Sequence, residues 1–224
     1  MSKPSAHERF ARAAFDLFDE CGYEQTTVED IAERAGLSRA TFFRQYRSKE
    51  DVIFPDHDLL LRQVHDRLGS SGHDTALVAV SDAVRLVLLH YLQEGEVARR
   101  RYALTSTVTA LRDREIVSVA RYQRLFREFI AEWMTGRGQA APLQAELMAA
   151  AVVSAHNHVL RRWLRGESPD PVAEVNSAMR QVISLFAPQA FPPDADGTTV
   201  VAFRTGLPLA AVLPAIQQVL SVEE

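Results

Sequence analysis

Four basic side chains lie close together between Gly36 and Asp51, and no acidic residue separates them. They are Arg39, Arg44, Arg47 and Lys49. The whole chain has a formal net charge of −4 at pH 7, so evenly spread charge would repel nucleic acid. Arginine and lysine displace the counterions of DNA phosphates, whereas carboxylates are unfavourable on such a surface. The cluster therefore predicts an anionic partner, and a solvated basic face is the alternative.

Two short helices are predicted around this cluster. Thr26 or Thr27 can cap the first of them, because an acidic residue follows each threonine by three positions. Gly36 ends that helix, and Ser38 can cap the next one, which carries the basic residues. Two short helices joined by a tight turn form a helix-turn-helix, whose second helix lies in the major groove of DNA.

Two further helices are predicted to flank this motif. Apolar residues from Phe10 to Cys21 follow helical spacing up to Gly22, and Cys21 is expected in the core. Ser48 predicts a fourth helix start with Lys49 in the first turn, where the helix dipole disfavours a cation. A DNA phosphate bound at that N-terminus would favour the lysine.

The remaining pattern predicts an all-α protein with two domains and a tail. Residues 1–50 form the helix-turn-helix DNA-binding domain, residues 51–187 a larger helical domain, and residues 188–224 a linker and C-terminal tail. Predicted helices cover 49–68, 74–94, 97–111, 113–136, 142–165 and 170–186. Within the tail, 198–203 has strand composition and 208–220 resembles a short helix.

Polar residues interrupt the apolar stripes of the larger domain. They are Arg101, Gln123, His156 and Asn157, and Tyr122 and Phe126 belong to a neighbouring aromatic stripe. A polar group among apolar neighbours needs a partner, which can be a ligand, another helix or a second subunit. These six residues are the candidate effector site, with Arg101 suited to an anionic head group. Ordinary structural hydrogen bonds are the alternative for the polar members.

Residues 26–52 resemble the DNA-binding signature of the TetR family of transcriptional regulators. The resemblance lies in the Thr-Thr opening, the Ile-Ala pair, Gly-Leu-Ser at the turn, Thr-Phe-Phe in the second helix and Ser-Lys-Glu after it. It implies phosphate contacts from Thr27, Tyr46 and Lys49. It also implies that Ser38 caps a recognition helix whose groove-facing residues are Arg39, Ala40, Thr41, Phe43 and Arg44.

Three residues depart from the usual pattern of that family. Phe43 stands where tyrosine is common, Gln45 where tyrosine or histidine commonly contacts a phosphate, and Tyr46 where phenylalanine is common. Of the groove-facing set, Arg39 and Arg44 have the best chemistry for reading a base, because a guanidinium can bond guanine O6 and N7 together.

The resemblance implies a regulator that binds double-stranded DNA as a homodimer and responds to a small-molecule effector, with no cofactor. The mostly apolar stripes of the larger domain favour a hydrophobic or acyl-like effector. Repression is expected, because a dimer of this size can occlude a promoter. Dimerisation is expected through residues 142–186. The alternatives are a helical ligand-binding or adaptor protein that has lost DNA binding and, less favoured, a helical-bundle enzyme. No Glu-x-x-His pair, phosphate loop or nucleophile elbow predicts catalytic or metal-binding residues.

Composition predicts where the protein resides. No uninterrupted apolar run reaches the roughly 18 residues of a membrane span, and residues 1–9 lack the apolar centre of a signal peptide. The single cysteine, Cys21, excludes an intrachain disulfide. A cytoplasmic protein without membrane association is therefore expected.

Overall fold

The computed structural model describes residues 5–135 and 141–190, and these ranges fold as an all-α chain. The helices within them are α1 (Ala6–Cys21), α2 (Val28–Arg34), α3 (Arg39–Gln45), α4 (His57–Gly69), α5 (Ala76–Glu94), α6 (Glu96–Thr107), α7 (Thr109–Trp133), α8 (Ala141–Leu164) and α9 (Pro171–Ala190). A single 3-10 turn, His73–Thr75, precedes α5. The predicted all-α class and the N-terminal helix-turn-helix are confirmed, whereas the tail elements at 198–203 and 208–220 lie outside the described residues.

An aromatic cluster holds α1, α2 and α3 together. Phe10 and Phe42 are fully buried, and their rings meet edge to face with centroids 5.2 Å apart. Ile31 brings α2 onto the same cluster. Helices of seven residues such as α2 and α3 are marginal in water alone, so this shared core stabilises them.

Cys21 is exposed, so its predicted place in the core is wrong. It is the last residue of α1, directly before Gly22, and the buried stripe of this helix ends at Phe18. The apolar spacing of the sequence continues to Cys21, but the neighbouring elements cover only the earlier turns.

The segment between α3 and α4 enters the core without forming a helix. Val52 and Ile53 are each 1% exposed, and α4 begins only at His57, where Asp56 accepts the backbone N–H of Leu59 at 2.9 Å. The prediction that a helix starts at Ser48 is therefore wrong, since the helix starts at His57. The physical reason is Pro55, which disfavours a helical residue before it and cannot donate within a helix.

The larger core is formed by α4, α5, α7, α8 and α9. Helix α5 runs through its centre, with Ala79, Val80 and Ala83 at most 1% exposed. By length and composition alone, residues 73–94 could cross a membrane, the one such segment within the described ranges. Burial of its apolar side against the neighbouring helices explains that composition in this fold.

Candidate DNA-binding and effector sites

The turn between α2 and α3 has the geometry of a helix-turn-helix. Gly36 adopts φ 61°, which an L side chain rarely tolerates, and a Cβ there would lie 2.9 Å from Arg9 Nη2. The same Arg9 nitrogen donates to the Gly36 carbonyl at 3.1 Å. Ser38 Oγ then accepts the N–H of Thr41 at 3.1 Å, which confirms the predicted cap of α3.

The first helix of the motif is capped as its sequence predicts. Thr27 Oγ1 accepts the N–H of Asp30 at 3.2 Å, and the Asp30 carboxylate accepts the N–H of Thr27 at 2.9 Å. The Thr27 hydroxyl also donates to this carboxylate at 2.7 Å, and this bond, together with the one from the Thr27 N–H, holds the pKa of Asp30 below its ordinary value because both stabilise the charged form. The hydroxyl of Thr27 is thus engaged within the chain, and its predicted phosphate contact stays a prediction.

Helix α3 presents one face to the core and the other to solvent. Phe42 is its buried residue, and Thr41 is half-buried beside it. The exposed residues of α3 are Arg39, Ala40, Phe43, Arg44 and Gln45. This solvent face carries two arginines and no acidic side chain, so its charge favours an approaching phosphate backbone.

The two arginines of α3 differ in their surroundings. Arg39 pairs with Glu29 of α2 at 2.9 Å, and its guanidinium lies 5.2 Å from the ring centroid of Phe43. Within the described ranges, the side chain of Arg44 makes no ion pair or hydrogen bond. Arg44 can therefore reach a base or phosphate without breaking an existing contact, whereas Arg39 must first leave Glu29.

Tyr46 belongs to the core. It is 7% exposed, its ring lies 5.2 Å from that of Phe42, and its hydroxyl bonds His7 Nδ1 at 2.5 Å. Burial raises the pKa of Tyr46 to about 12, so the phenol stays neutral. The phosphate contact that the resemblance implies would require the hydroxyl to leave His7.

Lys49 is held by the turn between α1 and α2. Its Nζ donates to the carbonyls of Tyr23 at 2.7 Å and Thr26 at 3.0 Å, and lies 4.2 Å from the Tyr23 ring centroid. Because no helix begins at Ser48, the dipole does not oppose this lysine. The local carbonyls explain the cation, and the phosphate contact of Lys49 stays a prediction.

A carboxylate connects the end of α3 to α7. Asp51 Oδ2 accepts the backbone N–H groups of Arg47 at 2.8 Å and Ser48 at 3.1 Å. Its other oxygen pairs with Arg114 of α7, whose guanidinium also lies 5.7 Å from the ring centroid of Phe54. The backbone that follows the recognition helix is thus attached to a helix of the larger domain.

A narrow cavity lies within the larger domain. Its volume is about 50 Å³, enough for a few water molecules but below the size of a typical ligand pocket. Apolar side chains from α5, α7 and α8 form most of its wall. The lining residues are His57, Val84, Val87, Tyr91, Glu115, Ser118, Val119, Tyr122, Phe126, Val153, His156, Asn157 and Leu160.

Four of the six predicted effector residues line this cavity, namely Tyr122, Phe126, His156 and Asn157. Arg101 does not line it: its guanidinium pairs with Glu94 at 2.7 and 2.9 Å and donates to the carbonyl of Ile53. Gln123 also lies outside the cavity and donates to Glu146 at 3.3 Å. Helical spacing shows where a polar residue interrupts the apolar stripe of a helix. Which neighbouring helix that residue faces depends on tertiary packing, which the spacing does not reveal.

His57 is a lining residue that the sequence pattern did not indicate. Its Nδ1 lies 3.1 Å from the hydroxyl of Tyr122, and burial, together with the charges of Arg101 and Arg121, lowers its pKa to about 4. A histidine at the first position of a helix after a proline gives no periodic signal. His57 and Ser118 also line the groove between α3 and α7, so they separate the cavity from the end of the recognition helix.

His156 is the most deeply placed polar residue of the cavity wall. Its Nδ1 lies 3.2 Å from Asn157 Oδ1, which can only accept, so Nδ1 carries the proton. Its Nε2 is then an acceptor, and it is buried without a hydrogen-bond partner. Burial lowers the pKa of His156 to about 4, so the ring is neutral near pH 7.

Metal binding has no candidate in the part of the chain that the structure describes. Over residues 5–135 and 141–190, no group of three or more His, Cys, Asp or Glu side chains could hold an ion.

Comparison with known sequences places the helix-turn-helix in a family. A profile described as bacterial regulatory proteins, tetR family, matches residues 11–54. MftR of Mycobacterium tuberculosis, named as a regulator of mycofactocin biosynthesis, is 28% identical over 159 residues, which cover 69% of this chain and 78% of that protein. The transcriptional regulator TcmR of Streptomyces glaucescens is 34% identical over 125 residues, 54% of each chain.

Comparison with solved structures extends the likeness to the larger domain. The complex of SmeT, a Stenotrophomonas maltophilia efflux-pump repressor, with triclosan superposes with a TM-score of 0.60. The match covers 89% of this chain and 100% of that one at 16% identity. At that identity the likeness is one of fold.

Proposed function

Because the chain belongs to the TetR family of transcriptional regulators, we propose that it represses transcription from a palindromic operator and is released by a small hydrophobic effector. Residues 1–50 bind the operator, and residues 51–187 bind the effector and form the dimer. The regulator acts in the cytoplasm and requires no catalytic residue. The observation that carries this proposal is the exposed, acid-free face of α3 on a buried aromatic core.

Operator recognition rests on the solvent face of α3. Arg44 reads a base or holds a phosphate without first losing a partner, and the short side chain of Ala40 lets the helix approach the groove closely. Phe43, 46% exposed, offers an apolar surface to a thymine methyl group. Arg39 also contacts DNA, after its guanidinium has left the carboxylate of Glu29.

The dimer forms through α8 and α9. Exposed leucines lie on both helices: Leu143 is 65% exposed, Leu147 52% and Leu185 69%. Large apolar side chains on adjoining helices favour a covered surface. A two-fold dimer presents two recognition helices to successive major grooves, about 34–36 Å apart.

The switch acts through α7. This helix carries Ser118, Tyr122 and Phe126 on the cavity wall, and one turn before them Arg114, which holds the backbone after α3 through Asp51. A ligand that widens the cavity displaces α7 and with it the ends of both recognition helices. A hundredfold loss of operator affinity needs about 2.7 kcal/mol of preference for the released arrangement.

Selection from random DNA tests the DNA-binding half of this proposal. The purified protein is incubated with a randomised duplex library, and bound sequences are recovered over several rounds. An inverted repeat is expected, and its affinity is then measured by fluorescence anisotropy at several salt concentrations. Recovery of no common sequence, with equal affinity for all duplexes, would contradict sequence-specific binding and favour a helical adaptor.

A further inference from the structure

The cavity wall contains one buried acceptor that lacks a donor. His156 Nε2 is buried and unpartnered, and Asn157 Oδ1 already accepts from the same ring. Glu115 adds a carboxylate to the wall, and within the described ranges it has no ion-pair partner. A buried acceptor without a protein donor is unfavourable, so a ligand that supplies an O–H or N–H gains a bond that the described protein groups do not provide there.

Among the described residues, no cationic side chain lines the cavity. Arg101, the nearest candidate from the sequence, is committed to Glu94 and to the Ile53 carbonyl. A buried anion without a positive partner is costly, and Glu115 would repel it further. The two histidines do not compensate, because burial lowers the pKa of His57 and of His156 to about 4 and both rings are neutral.

We infer that the effector is a hydrophobic molecule without negative charge that carries a hydroxyl or N–H donor, which bonds His156 Nε2 and is oriented by Glu115. This inference rests on the proposed role of the cavity as the effector site. The apolar part of the molecule packs among Val84, Val87 and Phe126. Free carboxylic acids and phosphate esters are expected to bind more weakly, whatever the length of their hydrocarbon part.

Matched ligands test the head-group chemistry. Four compounds share a para-butylphenyl group and differ in the head group. They are para-butylphenol with a hydroxyl donor, para-butylanisole with an ether, para-butylbenzoate with an anion and para-butylbenzylamine with a cation. Isothermal titration calorimetry with the full chain measures each in the absence of DNA. The phenol is expected to bind about three- to tenfold more tightly than the anisole, as one net hydrogen bond provides, and the benzoate more weakly than both.

Two variants assign the effect to named residues. His156→Phe keeps the shape of the ring but removes the acceptor, so the preference for phenol over anisole should fall to about one. Glu115→Gln, at a half-buried position, should reduce the penalty of the benzoate and keep the phenol preference. Thermal melting of each variant without ligand verifies folding, and Glu115→Gln remains informative if His156→Phe does not fold.

Each result decides the matter. Tightest binding of the benzoate, a phenol preference that persists in His156→Phe, or no binding by any of the four compounds would overturn the assigned class. Binding of the phenol as expected, without release of a selected operator, would contradict the proposed function and leave the chemistry of the cavity intact. Release of the operator by the benzoate but not by the phenol would contradict the chemistry assigned to the cavity and leave the proposed function intact.

Discussion

Arg114 on α7 pairs with the carboxylate of Asp51, whose second oxygen holds the two backbone N–H groups that follow the recognition helix. One aspartate therefore joins a cavity helix to the DNA-binding motif. The pair is partly solvent-exposed, so its contribution to global stability is small, about 1 kcal/mol or less. Its importance lies in the position of the backbone that it holds.

Arg114→Gln is expected to loosen the segment after α3 without unfolding the protein. Hydrogen exchange of the amides of Arg47 and Ser48 should accelerate, because Asp51 loses the partner that orients it. Mass spectrometry of peptides across this segment measures the change. Arg121→Gln is the matched control, since Arg121 also lies on α7 but pairs with Asp58. Equal exchange in both variants would contradict the proposed connection.

Arg44→Ala should weaken operator binding by about 1–3 kcal/mol. Arg39→Ala should have a smaller effect, because Arg39 gives up its pair with Glu29 to reach DNA. Anisotropy titrations of the selected operator measure both, and Arg85→Ala, an exposed arginine on α5, is the control. Wild-type affinity in Arg44→Ala would remove Arg44 from the DNA interface.

Lys49→Met should destabilise the protein by about 1–3 kcal/mol, because the Tyr23 and Thr26 carbonyls lose a charged donor. Urea unfolding followed by circular dichroism measures the free energy of unfolding. Arg47→Met is the control, since Arg47 is exposed and its side chain makes no ion pair within the described ranges, so its effect should stay within about 0.5 kcal/mol. Similar losses in the two variants would argue against a structural role for Lys49.

Stability is expected to fall as the pH falls from about 6.5 to about 4. His57 and His156 have their pKa values lowered from 6.5 to about 4 by burial, so in this window the unfolded chain binds protons that the folded chain does not. The free energy of unfolding therefore rises with pH, by about 1–3 kcal/mol for each buried histidine.

Urea unfolding of His156→Gln at about pH 7 and about pH 5 tests this linkage. The variant should lose less stability between the two pH values than the wild type does. His65→Gln, which changes an exposed histidine on α4, should show the wild-type difference. An unchanged pH dependence in His156→Gln would mean that His156 protonates equally in both states.

Leu147→Glu should shift the protein from dimer to monomer at micromolar concentration, because it places a charge on the exposed apolar face of α8. Sedimentation velocity measures the distribution. Val78→Glu is the control, since Val78 on α5 is comparably exposed but lies outside α8 and α9. A monomeric wild type would contradict the proposed interface before any variant is made.

Local signals explain which parts of the structure were predictable. Ser38 as a cap, Gly36 as a helix end and the apolar stripes of α8 depend on neighbours within a few residues, and sequence contains that information. The helix predicted from residue 49 fails at Pro55, a local signal, whereas the contacts of Lys49 were not predictable because its partner carbonyls lie more than twenty residues earlier in the chain. The partners of Arg101 were not predictable for the same reason, since they include the carbonyl of Ile53.

The small volume of the cavity affects the effector concentration that is needed to release the operator. At about 50 Å³ it is smaller than a typical ligand pocket, so in its proposed role as effector site it binds a ligand only in the fraction of molecules in which it is wider. If that fraction were about 1%, the apparent affinity would be about a hundredfold weaker than the intrinsic one. Such a repressor stays bound to its operator when only trace amounts of effector are present, so transcription stays low under those conditions. Val153→Ala shortens a side chain of the cavity wall and should lower the effector concentration that releases the operator, which makes the chain a more sensitive sensor.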